Sequence, residues 1–542
     1  MVRRLAASIV LSVLSGVLLI LSFPRFDFGF LGWIALVPLL LAIRNLSGRG
    51  AFLQGWLAGL VFFTGTLSWV VNSMHLYGKM PLAISYPVML LLAGYCALYP
   101  AVFAALVRRL GGRRGSSGVW TAAALWAALE WVRTFLFTGF PWALLGYTQY
   151  HNLPVIQVAD LTAVYGVSFL LVLVNALLAR LVEALMARIR PAEALIPIPW
   201  FRAILVAGLV AGAVAYGHWR LDHSMDPDRG LAVRIGLVQP NIDQSQKWDT
   251  AFRRETIDRF KRLTAQAAQG ADLVIWPEAA TPFLFEVEAD YQKELLSFVR
   301  ERGVPLLFGS PAVKEEGGAP VGLLNSAYLV GGNGAVLDRY DKLHLVPFGE
   351  YIPLKEIFWF LDKLVVGIGD FLPGADPVVM AGPGGRFGTV ICFEVIFPDL
   401  VRQFVDQGAD YMVTITNDAW FGRSSAPHQH FAMVVFRAVE NRVAFARAAN
   451  TGISGFIDAD GHILRLTDIF VEGTLSGEVR IGGRRTFYTA YGDLFAEGCG
   501  ILTLLALAVR WRRSGGSSRR RRRGGQGPYS YARPNPLADW ER

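Results

Sequence analysis

Cysteine is scarce in this 542-residue chain, with three in all, and charged residues are scarce too, at 18%. Three thiols exclude a disulfide scaffold. Cys96 and Cys499 lie inside apolar runs, which leaves Cys392 alone in the mixed-composition part of the chain. Little charge beside 53% hydrophobic residues argues against an ordinary soluble protein and points to several membrane spans plus a domain. The net charge of +9 does not indicate a nucleic-acid partner, because the arginines cluster in short loops beside apolar runs and in the tail Arg519–Arg523. No metal and no cofactor is expected.

What the chain does have is unevenly placed: long uncharged runs before about residue 220, a mixed texture over 231–480, and another apolar run near 495–510. A helix needs roughly 20 apolar residues to cross the hydrocarbon core, and candidate spans lie at about 5–22, 28–43, 51–72, 83–107, 119–138, 155–187, 201–219 and 494–510. The first follows Arg3 and Arg4 and has a signal peptide as its alternative reading; with no small-residue cleavage site before Phe23-Pro24, it reads as a retained helix. The division is a seven-helix bundle over 1–222, a folded insert over 231–484, a last membrane helix over 494–511 and an arginine-rich tail over 512–542, expected to be disordered.

Orientation follows from the basic residues. With the N-terminus in the cytoplasm, the inside loops hold Arg44, Arg49, Arg108, Arg109, Arg113, Arg114, Arg188, Arg190 and Arg202, while the outside loops at 23–27, 73–82 and 139–154 hold Arg25 and Lys79. Basic residues resist translocation, so the insert is expected outside the cytoplasm and both termini inside. Glu130 and Arg133, three apart within a span, read as a structural ion pair or an interfacial position. Asn72, His75 and Asn175 read as packing residues.

From Leu231 short β-rich runs alternate with helical ones, an α/β pattern that predicts a layered sandwich. Three segments put reactive groups at strand ends. Glu278 closes the run Leu273–Ile275; it is either an ordinary exposed glutamate or a desolvated base with a raised pKa. Lys342 lies in the aromatic- and proline-rich stretch 340–350, as a surface lysine or as an ammonium that stabilises an oxyanion and lowers a nearby thiol pKa. His344 beside it is an alternative base. Cys392 ends the buried run Gly388–Ile391 before a turn, as a small buried hydrophobe or an exposed nucleophile on a strand–turn–helix elbow.

The chain order Glu278, Lys342, Cys392 resembles the Glu-Lys-Cys triad of the nitrilase superfamily. With WPE at 276–278, DKLHLVPFGEYIP at 341–353, ICFE at 391–394, NDAWFG at 417–422, EWVRTFLFTGFPW at 130–142 and GYTQ at 146–149, all but the tail after about 513 resembles the apolipoprotein N-acyltransferase family. The resemblance implies a polytopic α-helical membrane protein of about eight transmembrane helices with an inserted α/β nitrilase-like α-β-β-α sandwich. It implies Glu278 as general base, Lys342 as oxyanion stabiliser and Cys392 as nucleophile, Glu350 and Glu394 as supports, and Trp248, Phe393 and Trp420 along the substrate path. Phe393 stands where relatives often have tyrosine, which puts a phenolic role there in doubt.

The implied reaction moves an acyl chain from a glycerophospholipid, through a Cys392 thioester, to the α-amine of the diacylglyceryl-modified N-terminal cysteine of an apolipoprotein. The implied place is the bacterial inner membrane, with membrane lipids around the bundle and the insert in the periplasm. Segment 351–372 is too interrupted to span and reads as a surface arm or a core helix. Two rivals remain: a membrane-anchored amidase of the same superfamily, and a transporter with a degenerate external domain.

Overall fold

A computed structural model describes residues 2–110, 118–189, 197–224, 231–351, 371–482 and 485–523. The proposed arm at 351–372 falls almost wholly outside the described residues.

Five described helices are long and apolar enough to cross a membrane: Leu5–Ser22, Leu82–Leu110, Ala159–Ile189, Trp200–Asp222 and Leu494–Arg512. A sixth span is made if Gly48–Thr66 and Val70–Tyr77, bent by 56°, are taken together. The other two expected runs differ. Over 28–43 the chain forms a 3-10 turn, Gly29–Trp33, and a seven-residue helix, Val37–Ile43. Gly29 lies so close to the 145–149 turn that a Cβ there would sit 2.3 Å from the Thr148 carbonyl oxygen. The helix Gly118–Phe135 carries Glu130 and Arg133, and a nearby loop engages both. Trp126 Nε1 and Leu145 N donate to Glu130 at 2.8 and 2.7 Å, and Arg133 donates to the Trp142 carbonyl at 3.0 Å. The last helix, Leu494–Arg523, runs past the 494–511 span expected for it.

Small residues let Gly48–Thr66 and Leu82–Leu110 approach closely, as membrane packing favours. A Cβ on Gly55 would meet the Pro100 carbonyl at 2.4 Å, and one on Gly59 would meet Ala97 Cα at 2.9 Å.

The insert contains two six-stranded sheets. The first takes β1 (Leu231–Gln239), β2 (Leu273–Ile275), β3 (Leu306–Glu316), β4 (Ala319–Val330) and β5 (Val336–Asp341). The second takes β6 (Val379–Gly382), β7 (Gly385–Ile391), β8 (Tyr411–Thr416), β9 (Phe445–Ala449), β10 (Gly455–Ile457) and β11 (Ile463–Leu466); β12 (Gly473–Ile481) returns to pair antiparallel with β1. Each sheet has three central parallel strands, β1-β2-β3 and β7-β8-β9, flanked by antiparallel ones. Parallel strands covered on both faces need continuous apolar runs, and β2, β8 and β9 are buried at every position.

Leu237, Ile275 and Leu307 of the first sheet share one core with Phe387, Val390 and Met412 of the second. Helices Arg253–Ala267 and Ala289–Arg302 cover the first sheet's outer face through Phe260 and Phe298, which pack with Trp276 and Phe308. Pro398–Asp406 and Ala426–Asn441 cover the second, which completes the α-β-β-α sandwich.

The sandwich is keyed to one end of the bundle. Every residue of Ala426–Asn441 but the half-buried His428 is buried. Trp142 Nε1 donates to Gln429 Oε1 at 2.7 Å, Gln429 Nε2 donates to the Pro24 carbonyl at 2.9 Å, and Ser73 Oγ donates to the Trp420 carbonyl at 2.8 Å. Val164 N donates to Glu440, which also pairs with the buried Arg437.

Candidate active site

The carboxyl ends of β2, β7 and β8 converge, the place where parallel sheets present ligand-binding loops. After β2, Trp276 stacks on Phe260 at 4.4 Å and donates to Thr264 at 2.7 Å, which anchors the turn that carries Glu278. Behind this turn β3 passes at Gly309, where a Cβ would lie 2.5 Å from Ala279 N. Glu278 is buried: Oε1 accepts from Asn325 Nδ2 at 2.8 Å and from Lys342 Nζ at 3.4 Å, and Oε2 accepts from Asn417 N at 2.9 Å.

Lys342 follows β5 and is 1% exposed, no surface lysine. Its ammonium pairs with Glu350 Oε1 at 2.9 Å as well as with Glu278. Asn325 Nδ2 also donates to Glu350 at 2.8 Å, and Val346 N holds the other Glu350 oxygen at 2.8 Å. One ammonium is thus fixed between two carboxylates.

Cys392 sits where β7 breaks into the 3-10 turn Cys392–Ile396, with φ +54, in the left-handed region that side-chain-bearing residues seldom adopt. Glu394, two residues on and fully buried, clamps the turn. Its Oε2 accepts from Ile391 N at 2.6 Å, while Oε1 accepts from Tyr340 OH and Leu343 N, both at 2.7 Å, and from His344 N at 3.1 Å. Glu394 therefore joins the cysteine elbow to the lysine loop. Burial pushes its carboxyl up to about 7, while the Ile391 amide and Lys342 pull it back.

The electrostatics correct two expectations. Burial raises the Glu278 pKa, but Lys342, Asn325 and Lys247 more than reverse this and hold it below the usual carboxylate range. The thiol of Cys392 goes the other way: burial and the Glu278 charge push it well up, against the pull of Lys342. The Cys392 thiol thus stands beside a carboxylate and an ammonium, with burial disfavouring its ionised form.

His344 is not placed as a base. Its ring packs at a tilt against Phe397, centroids 3.9 Å apart, and burial followed by the Lys342 charge pulls its pKa down to about 4. Phe393 lies buried in the turn, 5.3 Å edge-on to Phe397. Trp248 is half-buried on the loop after β1. Trp420, 37% exposed, packs edge-on to Tyr77 of the bundle at 5.5 Å.

Several residues of the site were not singled out in the sequence: Asn325, Lys247, Asn417 within the NDAWFG motif, and a buried cluster behind the cysteine. There His430 Nε2 donates to the Cys392 carbonyl at 3.1 Å, and its Nδ1 lies 3.0 Å from Arg447 Nη2 and 3.1 Å from Asp418 Oδ1. Arg447 also pairs with Asp418 at 2.8 Å. Burial, then Arg447, lowers the His430 pKa, against the pull of Asp418 and the Cys392 carbonyl. Among the described residues no group of three His, Cys, Asp or Glu side chains is placed to hold a metal ion.

Residues 15–177 match the family model described as the apolipoprotein N-acyltransferase N-terminal domain, and residues 234–487 match that of the carbon-nitrogen hydrolases. An apolipoprotein N-acyltransferase of Geobacter metallireducens is 48% identical over 92% of this chain and 95% of its own length. One from Chlorobaculum tepidum is 32% identical over 94% of this chain and 98% of its own. Among solved structures, an amidase from Nesterenkonia sp. AN1 aligns with 46% of this chain and 92% of its own, at 23% identity and a TM-score of 0.36. With a bundle and an inserted sandwich that each match, and relatives aligned over nearly their whole length, this multi-pass membrane protein belongs to the apolipoprotein N-acyltransferase family.

Proposed function

We propose that the protein transfers an acyl chain from a glycerophospholipid to the α-amine of the diacylglyceryl-modified N-terminal cysteine of an apolipoprotein, in two half-reactions through a thioester on Cys392. The observation that carries this reading is a buried cysteine on a strained elbow, facing one ammonium held between two carboxylates, in a domain keyed to a membrane bundle.

In the first half-reaction Glu278 takes the thiol proton as sulfur attacks the ester carbonyl, and the Lys342 ammonium stabilises the oxyanion. Collapse breaks the ester C–O bond, and the lysophospholipid oxygen leaves with the proton held on Glu278. In the second, the acceptor amine attacks the thioester, Glu278 takes the amine proton, and the sulfur leaves to recover it. Glu350 and Asn325 hold Lys342 and Glu278 at a fixed spacing, and Glu394 keeps the elbow against the lysine loop. Phe393, Trp248 and Trp420 line the path of the acyl chains.

Acyl chains keep both substrates at the bilayer, at about 0.8 kcal/mol per buried methylene, so a site fixed to the bundle meets them without extracting them. The domain sits on the bundle face formed by the loops at 24, 73 and 142. Those loops are poor in Lys and Arg, which supports a periplasmic site in an inner membrane, with both termini cytoplasmic. The arginines at 519–523 then lie at the cytoplasmic surface, where each attracts anionic lipid by about 1 kcal/mol.

The test adds a diacylated lipopeptide to protein in phospholipid micelles. The reading expects triacylated peptide and lysophospholipid in equal amounts. Free fatty acid without triacylated peptide contradicts it and favours a hydrolase.

A further inference from the structure

Lys247 has no part in the mechanism above, yet it is 4% exposed while its neighbours Gln246 and Asp249 are exposed. The side chain turns inward, and its Nζ donates to the main-chain oxygen of Glu278 at 3.1 Å. An ammonium has three donors, and that bond is its one hydrogen bond among the described residues. A buried ammonium is costly unless nearby charge compensates it. The charges that act on it are Glu278 and Cys392; Lys342, Glu350, Glu394 and Asp418 act on those in turn.

We propose that Lys247 is a second cation of the active site, a positioning residue that fixes the Glu278 backbone and whose charge balances the Glu278 and Glu350 carboxylates while Cys392 ionises. The proposal rests on Glu278 acting as the base. Two carboxylates against Lys342 alone leave the site with a net negative charge, which opposes the growth of further negative charge on sulfur and on the carbonyl oxygen. Lys247 offsets that excess with one further positive charge. Because it bonds the backbone of Glu278 rather than its carboxylate, it supplies charge without competing for the oxygens that must take the proton.

Burial draws Lys247 down to about 8, against the opposing pull of Glu278 and Cys392. The charge is therefore present below that pH and lost as pH rises through it. Cys392 is pushed well above this range, so its own ionisation does not produce a limb there.

The test follows lysophospholipid release in a single turnover without acceptor, so that no acceptor amine titrates. Wild type is expected to lose its acylation rate above about pH 8. Lys247→Arg, which stays charged, should move that limb upward by at least one pH unit. Lys247→Met should acylate about tenfold to a hundredfold more slowly and show no alkaline limb. A flat wild-type profile, a Lys247→Arg limb left in place, or a Lys247→Met rate equal to wild type overturns the proposal; if Lys247→Met does not fold, Lys247→Arg decides alone. Absence of Cys392 acylation in wild type at every pH would instead sink the Glu278–Cys392 reading on which the proposal rests.

Discussion

Replacing Glu394 probes the joint between the cysteine elbow and the lysine loop. Its two oxygens accept from three backbone amides, Leu343, His344 and Ile391, and from Tyr340 OH, in a site closed to solvent. A buried donor left without a partner costs about 1 to 3 kcal/mol. Glu394→Ala strands all four donors, which amounts to roughly 4 to 12 kcal/mol before relaxation, comparable with the roughly 5 to 15 kcal/mol that holds a typical domain together. Glu394→Gln keeps one oxygen for the Tyr340, Leu343 and His344 side but turns an amide donor toward Ile391 N, a loss of about 1 to 3 kcal/mol. Thermal unfolding of the detergent-solubilised protein separates the two. For a domain of this size each kcal/mol moves Tm by roughly 2 to 4 °C. Glu394→Gln should unfold several degrees early with reduced acylation, and Glu394→Ala should not yield stable protein. A Glu394→Ala protein that melts with wild type would refute the clamp.

Other outcomes follow from the same geometry. Glu278 is held below the usual carboxylate range, so the ionised base persists above that pKa and is lost only as pH falls through it. Loss of the base should therefore appear only below about pH 4.3, the ordinary glutamate value, and an acid limb near pH 6 that persists in Glu394→Gln, where the carboxyl titrating at about 7 is gone, would contradict the assignment in stopped lysophospholipid-release assays. Arg437→Met leaves Glu440 buried without its partner, at a cost of about 3 to 5 kcal/mol; Arg437→Met/Glu440→Leu should recover part of the lost Tm, and no recovery would argue against pairing as the cause. At Gly139, φ is +87 and a Cβ would lie 1.9 Å from the Thr134 carbonyl, so Gly139→Ala should lower Tm by several degrees, whereas an unchanged melt would show that the loop relaxes freely.

The sequence makes Glu278 and Cys392 visible because each follows a buried strand that announces itself by an apolar run, and Lys342 because it lies in the aromatic- and proline-rich stretch 340–350. The helical runs that alternate with the β-rich ones appear as Arg253–Ala267 and Ala289–Arg302, legible from their apolar spacing. Asn325, Lys247, His430 and Arg447 stay hidden: they are single polar residues on a strand, a loop, a helix and another strand, and only tertiary folding brings them to the triad. The direction of the Glu278 shift was missed on the same ground. Desolvation can be guessed from apolar neighbours, but the compensating Asn325 and Lys247 lie 47 and 31 residues away. The break at 28–43 was hidden too, because apolar content does not show that Gly29 must fit against the Thr148 carbonyl.

The central claim is that Cys392 carries the acyl group between two substrates. Intact-protein and peptide mass spectrometry after incubation with phospholipid, without acceptor, tests it most directly. The account predicts a mass increase of one acyl chain located on Cys392, removed by hydroxylamine, discharged by a diacylated lipopeptide and absent in Cys392→Ala. Triacylated product formed by Cys392→Ala at the wild-type rate, with no adduct on the native protein, would contradict it.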